Sequence, residues 1–278
     1  MQAFDSLSRN IQQYIYDKGW PSLTRIQNAA IKQVANTDHN LILSAPTASG
    51  KTEAAFIPAL NSVEDWDTGL KVLYISPLKA LINDQFQRIS ELSAYLDIPI
   101  TPWHGEVSQA QKKKVVNQPK GILLITPESI EGMLVNRPGK AQHLFKGVEW
   151  IIIDELHSFL GTERGVHLQS LLQRISQFMQ APRFIAMSAT LNKKDFGYAK
   201  AFFGSQRDTD ILVDRDKNDL LVTIDYTSGE AGPFVARESL AAIYQYSKTE
   251  TMLIFPNSRN RVEEITHKLD KMAKKENA

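Results

Sequence analysis

The chain has no cysteine among its 278 residues, which excludes disulfides, thiolate nucleophiles and zinc–thiolate sites, so any catalysis rests on other groups. It also lacks a strong charge of either sign: 32 Lys and Arg stand against 31 Asp and Glu, a formal net charge of +1. No global field then draws in a polyanion, and contacts to phosphate must come from local cations and backbone amides. No apolar run approaches the roughly 18 residues of a membrane span. Nothing near Met1 has the basic start and apolar stretch of a secretory signal. The expectation is a cytoplasmic protein with no membrane partner. Hydrophobic residues at 42% and charged residues at 23% belong to an ordinary globular chain, long enough for one large α/β domain and a second unit.

What is present is a series of short apolar runs rich in β-formers, each followed by a helix-like segment: 41–44, 71–75, 121–125, 150–153 and 183–187. Runs of this kind suit a parallel sheet buried on both faces by helices. Polar and small residues follow each run at once: Ser44 to Pro46, Ser76 and Pro77, Thr126 and Pro127, Asp154 and Glu155, Ser188 to Thr190. Ligands of open α/β sheets bind at those carboxyl ends.

Beyond Phe203 and Gly204 the pattern weakens into two polar stretches, 205–210 and 214–219, with only Ile211, Leu212 and Val213 between them. A domain boundary is expected here, giving 1–212 and 213–278. The second part reads as a helix from Arg237 to Ser247, a strand from Met252 to Phe255 and an amphipathic helix from about Arg259, its charged end from Lys271 frayed. It stops after one strand and one helix, as the opening of a second α/β unit would.

Ala45, Pro46, Thr47, Ala48, Ser49, Gly50, Lys51 and Thr52 form a small-residue turn between a strand and a helix. In such a turn successive backbone N–H groups converge on one spot and cradle phosphate oxygens. Lys51 adds a charge for the β and γ phosphates, and the Thr52 hydroxyl suits a magnesium ion bridging them. Ala45 stands where the general phosphate-loop pattern has its first glycine. Asp154 and Glu155 close the apolar run Trp150 to Ile153, where charge is costly without a cation or hydrogen-bond partners. Asp154 suits the metal, through water, and Glu155 suits orienting or deprotonating the attacking water.

The loop 45–52, the acidic pair with Leu156 and His157, and Ser188, Ala189 and Thr190 resemble motifs I, II and III of the superfamily 2 DExH/DEAD-like helicases. The resemblance implies a RecA-like (P-loop NTPase) α/β domain followed by the start of a second, ATP and Mg2+ as cofactors, and nucleic acid as partner. It also implies that His157, Ser188 and Thr190 couple nucleotide state to movement. Residue chemistry alone leaves Ser188 and Thr190 open as helix caps. Gly19 to Gln27 looks like the Q motif, in which Gln27 reads the adenine edge with one donor and one acceptor.

Three further strand ends resemble the motifs that track a sugar-phosphate backbone: Pro77 and Lys79, Gly105 after Trp103 and His104, and Thr126 with Pro127. Ordinary loop or capping roles stay open for each. Lys112, Lys113 and Lys114 read first as a solvated helix face. Within the superfamily, Tyr74 to Asp84, Asp154 to His157, Arg164 to Leu168 and Phe255 to Arg259 resemble the Lhr (large helicase-related) group. That likeness modestly favours DNA over RNA. It places Phe255 to Arg259 in motif IV of a second domain, with motifs V and VI to be supplied by the rest of a parent chain or a partner. The chain is accordingly expected to hold ATP better than it hydrolyses it. The alternatives are a binding module without turnover and a translocase or remodeller that does not separate strands.

Overall fold

In the computed structural model the described residues are 3–189, 191–204, 206–214, 235–249 and 251–276. The chain divides into two compact units, Met1–Lys217 and Asn218–Ala278.

The first unit runs α1 (Arg9–Asp17), α2 (Arg25–Asn36), β1 (Asn40–Ser44), α3 (Lys51–Ser62), β2 (Gly69–Ile75), α4 (Lys79–Tyr95), β3 (Ile100–Trp103), α5 (Gln109–Asn117), β4 (Lys120–Ile125), α6 (Pro127–Asn136), α7 (Pro138–Phe145), β5 (Trp150–Ile153), α8 (Glu163–Ser176), β6 (Arg183–Ser188), α9 (Phe196–Ala201) and β7 (Thr209–Val213). The seven strands form one sheet in the order β3-β4-β2-β5-β6-β1-β7, and each neighbouring pair is parallel.

Alternation along the strands divides the core in two. Leu41 and Leu43, Val72 and Tyr74, Ile122 and Leu124, and Ile152 point to one face, where Ile11, Ile26, Phe56, Ile82 and Ile89 of α1 to α4 cover them. Ile42, Leu73 and Ile75, Leu123 and Ile125, and Ile151 and Ile153 point to the other, against Ile130, Leu144, Leu168, Leu171 and Ala199 of α6 to α9. A strand with both faces buried needs continuous apolar residues, which is why these runs were legible. Each fully buried large side chain contributes about 1.5–3 kcal/mol.

The sheet has two strands that the apolar runs do not mark. β3 and β7 are the edges, and each has only one neighbour to satisfy. β3 accommodates Pro102 because an edge position tolerates a missing N–H. Ile211, Leu212 and Val213, read as a short apolar island in a polar stretch, pair with Ile42, Leu43 and Ser44 of β1.

Gly165, in the first turn of α8, fixes how that helix docks. A Cβ there would lie 1.9 Å from the Phe159 carbonyl oxygen, so only glycine lets the helix approach the turn after the acidic pair.

The second unit contains α10 (Arg237–Thr249) and α11 (Arg259–Glu276), whose buried contacts include Leu240 and Ile265. The strand expected at Met252 to Phe255 is not formed: these residues carry no regular structure, and Leu253 and Phe255 are 82% and 86% exposed. Among the described residues of this unit there is no other strand to supply a hydrogen-bonding ladder. The end of the chain differs too, since α11 continues from Lys271 to Glu276, where Glu276 accepts a 2.5 Å hydrogen bond from Tyr244 Oη.

Candidate nucleotide and nucleic-acid site

β1, β6 and β5 are neighbours, so the loop after β1, Ser188 at the end of β6 and the acidic pair after β5 open on one edge of the sheet. In the loop, Ala48 has φ 64° and Gly50 φ 83°. Left-handed residues within a turn aim successive N–H groups into a concavity that suits an anion. Ala48 adopts this conformation at a cost of about 1–2 kcal/mol for a non-glycine residue. Ser49 Oγ is buried and has no hydrogen-bond partner, an orphaned donor that a phosphate oxygen would satisfy. The methyl of Ala45 is fully buried, and the departure from the glycine pattern is absorbed by packing.

Lys51 Nζ donates to the Ala45 carbonyl at 2.7 Å and to the Pro46 carbonyl at 2.6 Å. Its ammonium therefore rests on the loop itself. Burial lowers its pKa, while Glu155 and Asp154 oppose that shift, so the lysine lies within the field of the acidic pair. Thr52 lies in the first turn of α3 and is 5% exposed.

Asp154 is 6% exposed, and burial raises its pKa, partly offset by a hydrogen bond from Tyr74. Tyr74 Oη donates to Asp154 Oδ2 at 2.5 Å, and the Glu155 N–H donates to Oδ1 at 2.9 Å. Glu155 has φ 50°, which turns the chain sharply and leaves its carboxylate half-exposed. Among the described residues no group of three or more His, Cys, Asp or Glu could hold a metal by itself. An ion here would depend on Asp154, Thr52 and the oxygens of a bound phosphate, a donor set that fits a hard, largely hydrated cation.

His157 joins the acidic pair to β6. Its Nδ1 lies 3.2 Å from the Ala189 N–H, 3.3 Å from Ser188 Oγ and 3.3 Å from Glu155 Oε2. One nitrogen cannot serve all three: neutral with the proton on Nε2, it accepts from Ala189 and Ser188, whereas the imidazolium donates to Glu155. Thr190 lies outside the described residues.

Gln27 is buried rather than on the surface. Thr24 and Gln27 form a capping box at the start of α2: the Thr24 N–H donates to Gln27 Oε1 at 2.9 Å, and Gln27 Nε2 reaches the Gly50 carbonyl at 3.5 Å. A Cβ on Gly50 would meet Nε2 at 2.6 Å. The glutamine thus straps the phosphate loop to α2, and contact with a base requires exchanging these bonds. Trp20 packs against the core, edge-on to Tyr14 at 6.2 Å.

The remaining strand ends line the same edge of the sheet. Lys79 pairs with Glu106, Gly105 is exposed, and Thr126 caps α6 by accepting from the Ser129 N–H at 3.3 Å, with Pro127 in the first turn. Arg164 connects two of these loops, donating to the Pro77 carbonyl at 2.6 Å and to Glu128 at 2.6 Å. His104 Nε2 lies 3.0 Å from Asn83 Oδ1, which ties the glycine-bearing loop to α4. Roles for Tyr74 and Arg164 were not read from the sequence. The one available signal was a tyrosine within the apolar run Val72 to Ile75, since a buried phenol needs a hydrogen-bond partner.

A parallel sheet with a phosphate-type loop after its first strand and an acidic pair two strands away defines a RecA-like nucleotide-binding fold. The chain matches the DEAD/DEAH box helicase family over residues 24–196, and it belongs to that family. It is similar to the ATP-dependent helicase Lhr-Core of Sulfolobus acidocaldarius, 31% identical over 259 residues that cover 86% of this chain and 29% of that one. It is also similar to the Lhr helicase/uracil glycosylase of Escherichia coli, 29% identical over 90% of this chain and 18% of the relative. Its fold matches the Mycobacterium smegmatis helicase Lhr bound to ssDNA and AMP-PNP, with a TM-score of 0.83 and 23% identity, covering 100% of this chain and 37% of that one. The chain therefore spans less than a third of the length of these two curated relatives. No helix among the described residues is long and apolar enough to cross a membrane.

Proposed function

We propose that this chain is the ATP-binding part of a nucleic-acid motor of the Lhr type, in which hydrolysis of ATP drives movement on, or unwinding of, a strand. The observation that carries this reading is the loop 45–52, with its left-handed Ala48 and Gly50 and orphaned Ser49 hydroxyl, on the same sheet edge as Asp154 and Glu155. Binding of a triphosphate draws Lys51 from the Ala45 and Pro46 carbonyls onto the β and γ phosphates, exchanging neutral acceptors for charged ones. Thr52 and, through water, Asp154 would hold a magnesium ion, which when bound would supply charge neutralisation at the phosphates. Glu155 accepts a proton from the attacking water or orients it, and His157 with Ser188 and Thr190 passes the change to β6. Gln27 supports the adenine side.

Pro77, Lys79, Gly105, Thr126 and Pro127 are the residues proposed to follow one nucleic-acid backbone, with DNA favoured over RNA by the likeness to Lhr proteins. Residues 1–212 form the first RecA-like domain in this proposal, and 213–278 the linker and opening of a second. A cytoplasmic setting is part of this proposal.

A second reading is a module that binds ATP without turning it over. Steady-state ATP hydrolysis by the protein, measured with single-stranded DNA, with RNA and with neither, separates the two. Stimulation by DNA above the other two conditions is expected. A rate at background in all three, with ATP still bound, overturns the motor in favour of the module.

A further inference from the structure

A cavity of about 410 Å³ opens between α5 on one side and α6 with α7 on the other, lined among others by Trp103, Lys112, Lys113, Ser129, Arg137 and Lys140. No carboxylate lines it. Cations near the other strand ends and on α8 include several with acidic partners: Lys79 has Glu106, Arg164 has Glu128 and Arg174 has Glu131. Lys113, Arg137 and Lys140 have no ion-pair partner among the described residues. Lys112 lies over the Trp103 ring, 5.7 Å from its centroid, a contact that holds the ammonium at the cavity wall instead of letting it sample solvent. In a chain whose net charge is only +1, four cations around one cavity are a local concentration of charge. One rim of the cavity is formed by Trp103 at the end of β3 and Ser129 in the first turn of α6, next to Gly105 and Thr126.

We infer that this groove binds the phosphates of a single nucleic-acid strand, extending the track along the strand ends by several nucleotides onto α5, α6 and α7. The inference rests on the nucleic-acid reading above and adds residues that none of its motifs contains. Lys112 and Lys113 thereby become part of a binding wall, while Lys114, which does not line the cavity, keeps the solvated role. Four cations facing a repeating anion suit phosphates spaced along a chain, and contacts to phosphate carry no base information, so recognition is insensitive to sequence.

The test is equilibrium binding of fluorescent oligothymidylate to the 278-residue chain over a range of salt concentrations. The groove variant is Lys113→Glu with Arg137→Glu and Lys140→Glu. All three residues are exposed, so the fold is retained, which thermal melting checks. An equal reversal of charge elsewhere, Lys32→Glu with Lys146→Glu and Lys200→Glu, controls for net charge. The groove variant is expected to bind about tenfold or more weakly, and to lose about 0.7 from the slope of log K against log salt per phosphate contact, roughly 2 for three. The control variant should keep most of the original slope. Equal slopes in the groove variant and the unaltered chain overturn the groove and leave the strand-end track standing. No binding by the unaltered chain overturns both. Competition by polyglutamate as effective as that by unlabelled oligonucleotide, charge for charge, overturns the assignment to nucleic acid.

Discussion

Tyr74 and Asp154 form a pair whose chemistry depends on burial. The Asp154 carboxylate is taken almost wholly out of water, which raises its pKa, and the Tyr74 hydroxyl offsets part of that cost by donating to it. Tyr74→Phe leaves a buried carboxylate short of one donor, a loss of about 1–3 kcal/mol. The melting temperature at neutral pH should fall by about 2–4 °C per kcal/mol for a chain of this size. The sign of the pH dependence follows from the charge. The hydroxyl lowers the Asp154 pKa, so its contribution is present where the carboxylate is ionised and fades as pH falls through that raised pKa. Melting curves that coincide at neutral pH would remove Tyr74 from this role. The sequence marked Asp154, Glu155, Lys51 and Thr52 through their position after apolar strands. It did not mark Tyr74, because the bond joins residues 80 positions apart and depends on β2 lying beside β5, which local pattern does not encode. Gln27 was marked as the adenine contact, and its capping box with Thr24 was not. Nor was its reach to Gly50.

At the scale of elements, α6 and α8 are held together by a cluster around Glu131. Arg174 Nη1 donates to Glu131 Oε1 at 3.0 Å, and His167 Nε2 lies 2.9 Å from Oε2. Hydrogen bonds from Arg174 and then His167 lower the Glu131 pKa from 4.5 to about 2. A carboxylate with a depressed pKa contributes stability above its unfolded pKa, near 4.5, and loses it as pH falls toward 2. The side chains are about 30 to 42% exposed, so solvent screening limits the contribution to within ~1 kcal/mol. Glu131→Gln should therefore lower the melting temperature slightly at neutral pH, with the difference shrinking toward pH 2 and vanishing below it. An undiminished difference at the acid end would contradict this origin. α6 and α8 also present Thr126 and Arg164 to the proposed nucleic-acid edge, so the cluster braces two elements that must keep register. The sequence marked both helices and left their pairing open, since Glu131 and Arg174 lie 43 residues apart. The edge strands show the same limit from the other side. β3 and β7 need little continuous apolar sequence, so their pairing with β4 and β1 became visible only in the sheet.

For the whole molecule, the strand order converts linear motifs into a site. β1 and β5 are more than a hundred residues apart and flank β6, which brings the loop, Ser188 and the acidic pair to one edge. Motif order in the sequence predicted that convergence through family resemblance; the physical reason is the parallel sheet, whose carboxyl ends all face one way. The second unit was legible in its helices and not in the region of Met252 to Phe255, because a strand exists only with a partner. The central claim is that the loop 45–52 holds a triphosphate with Lys51, while Glu155 acts on the water. Equilibrium binding of a fluorescent ATP analogue, with magnesium, to the unaltered chain, Lys51→Ala and Glu155→Gln tests it most directly. Losing a charge-assisted bond of about 1.5–3 kcal/mol, at 1.4 kcal/mol per tenfold, should weaken the Lys51→Ala complex by roughly tenfold or more, with Glu155→Gln binding as the unaltered chain does. A Lys51→Ala complex as tight as that of the unaltered chain would contradict the account.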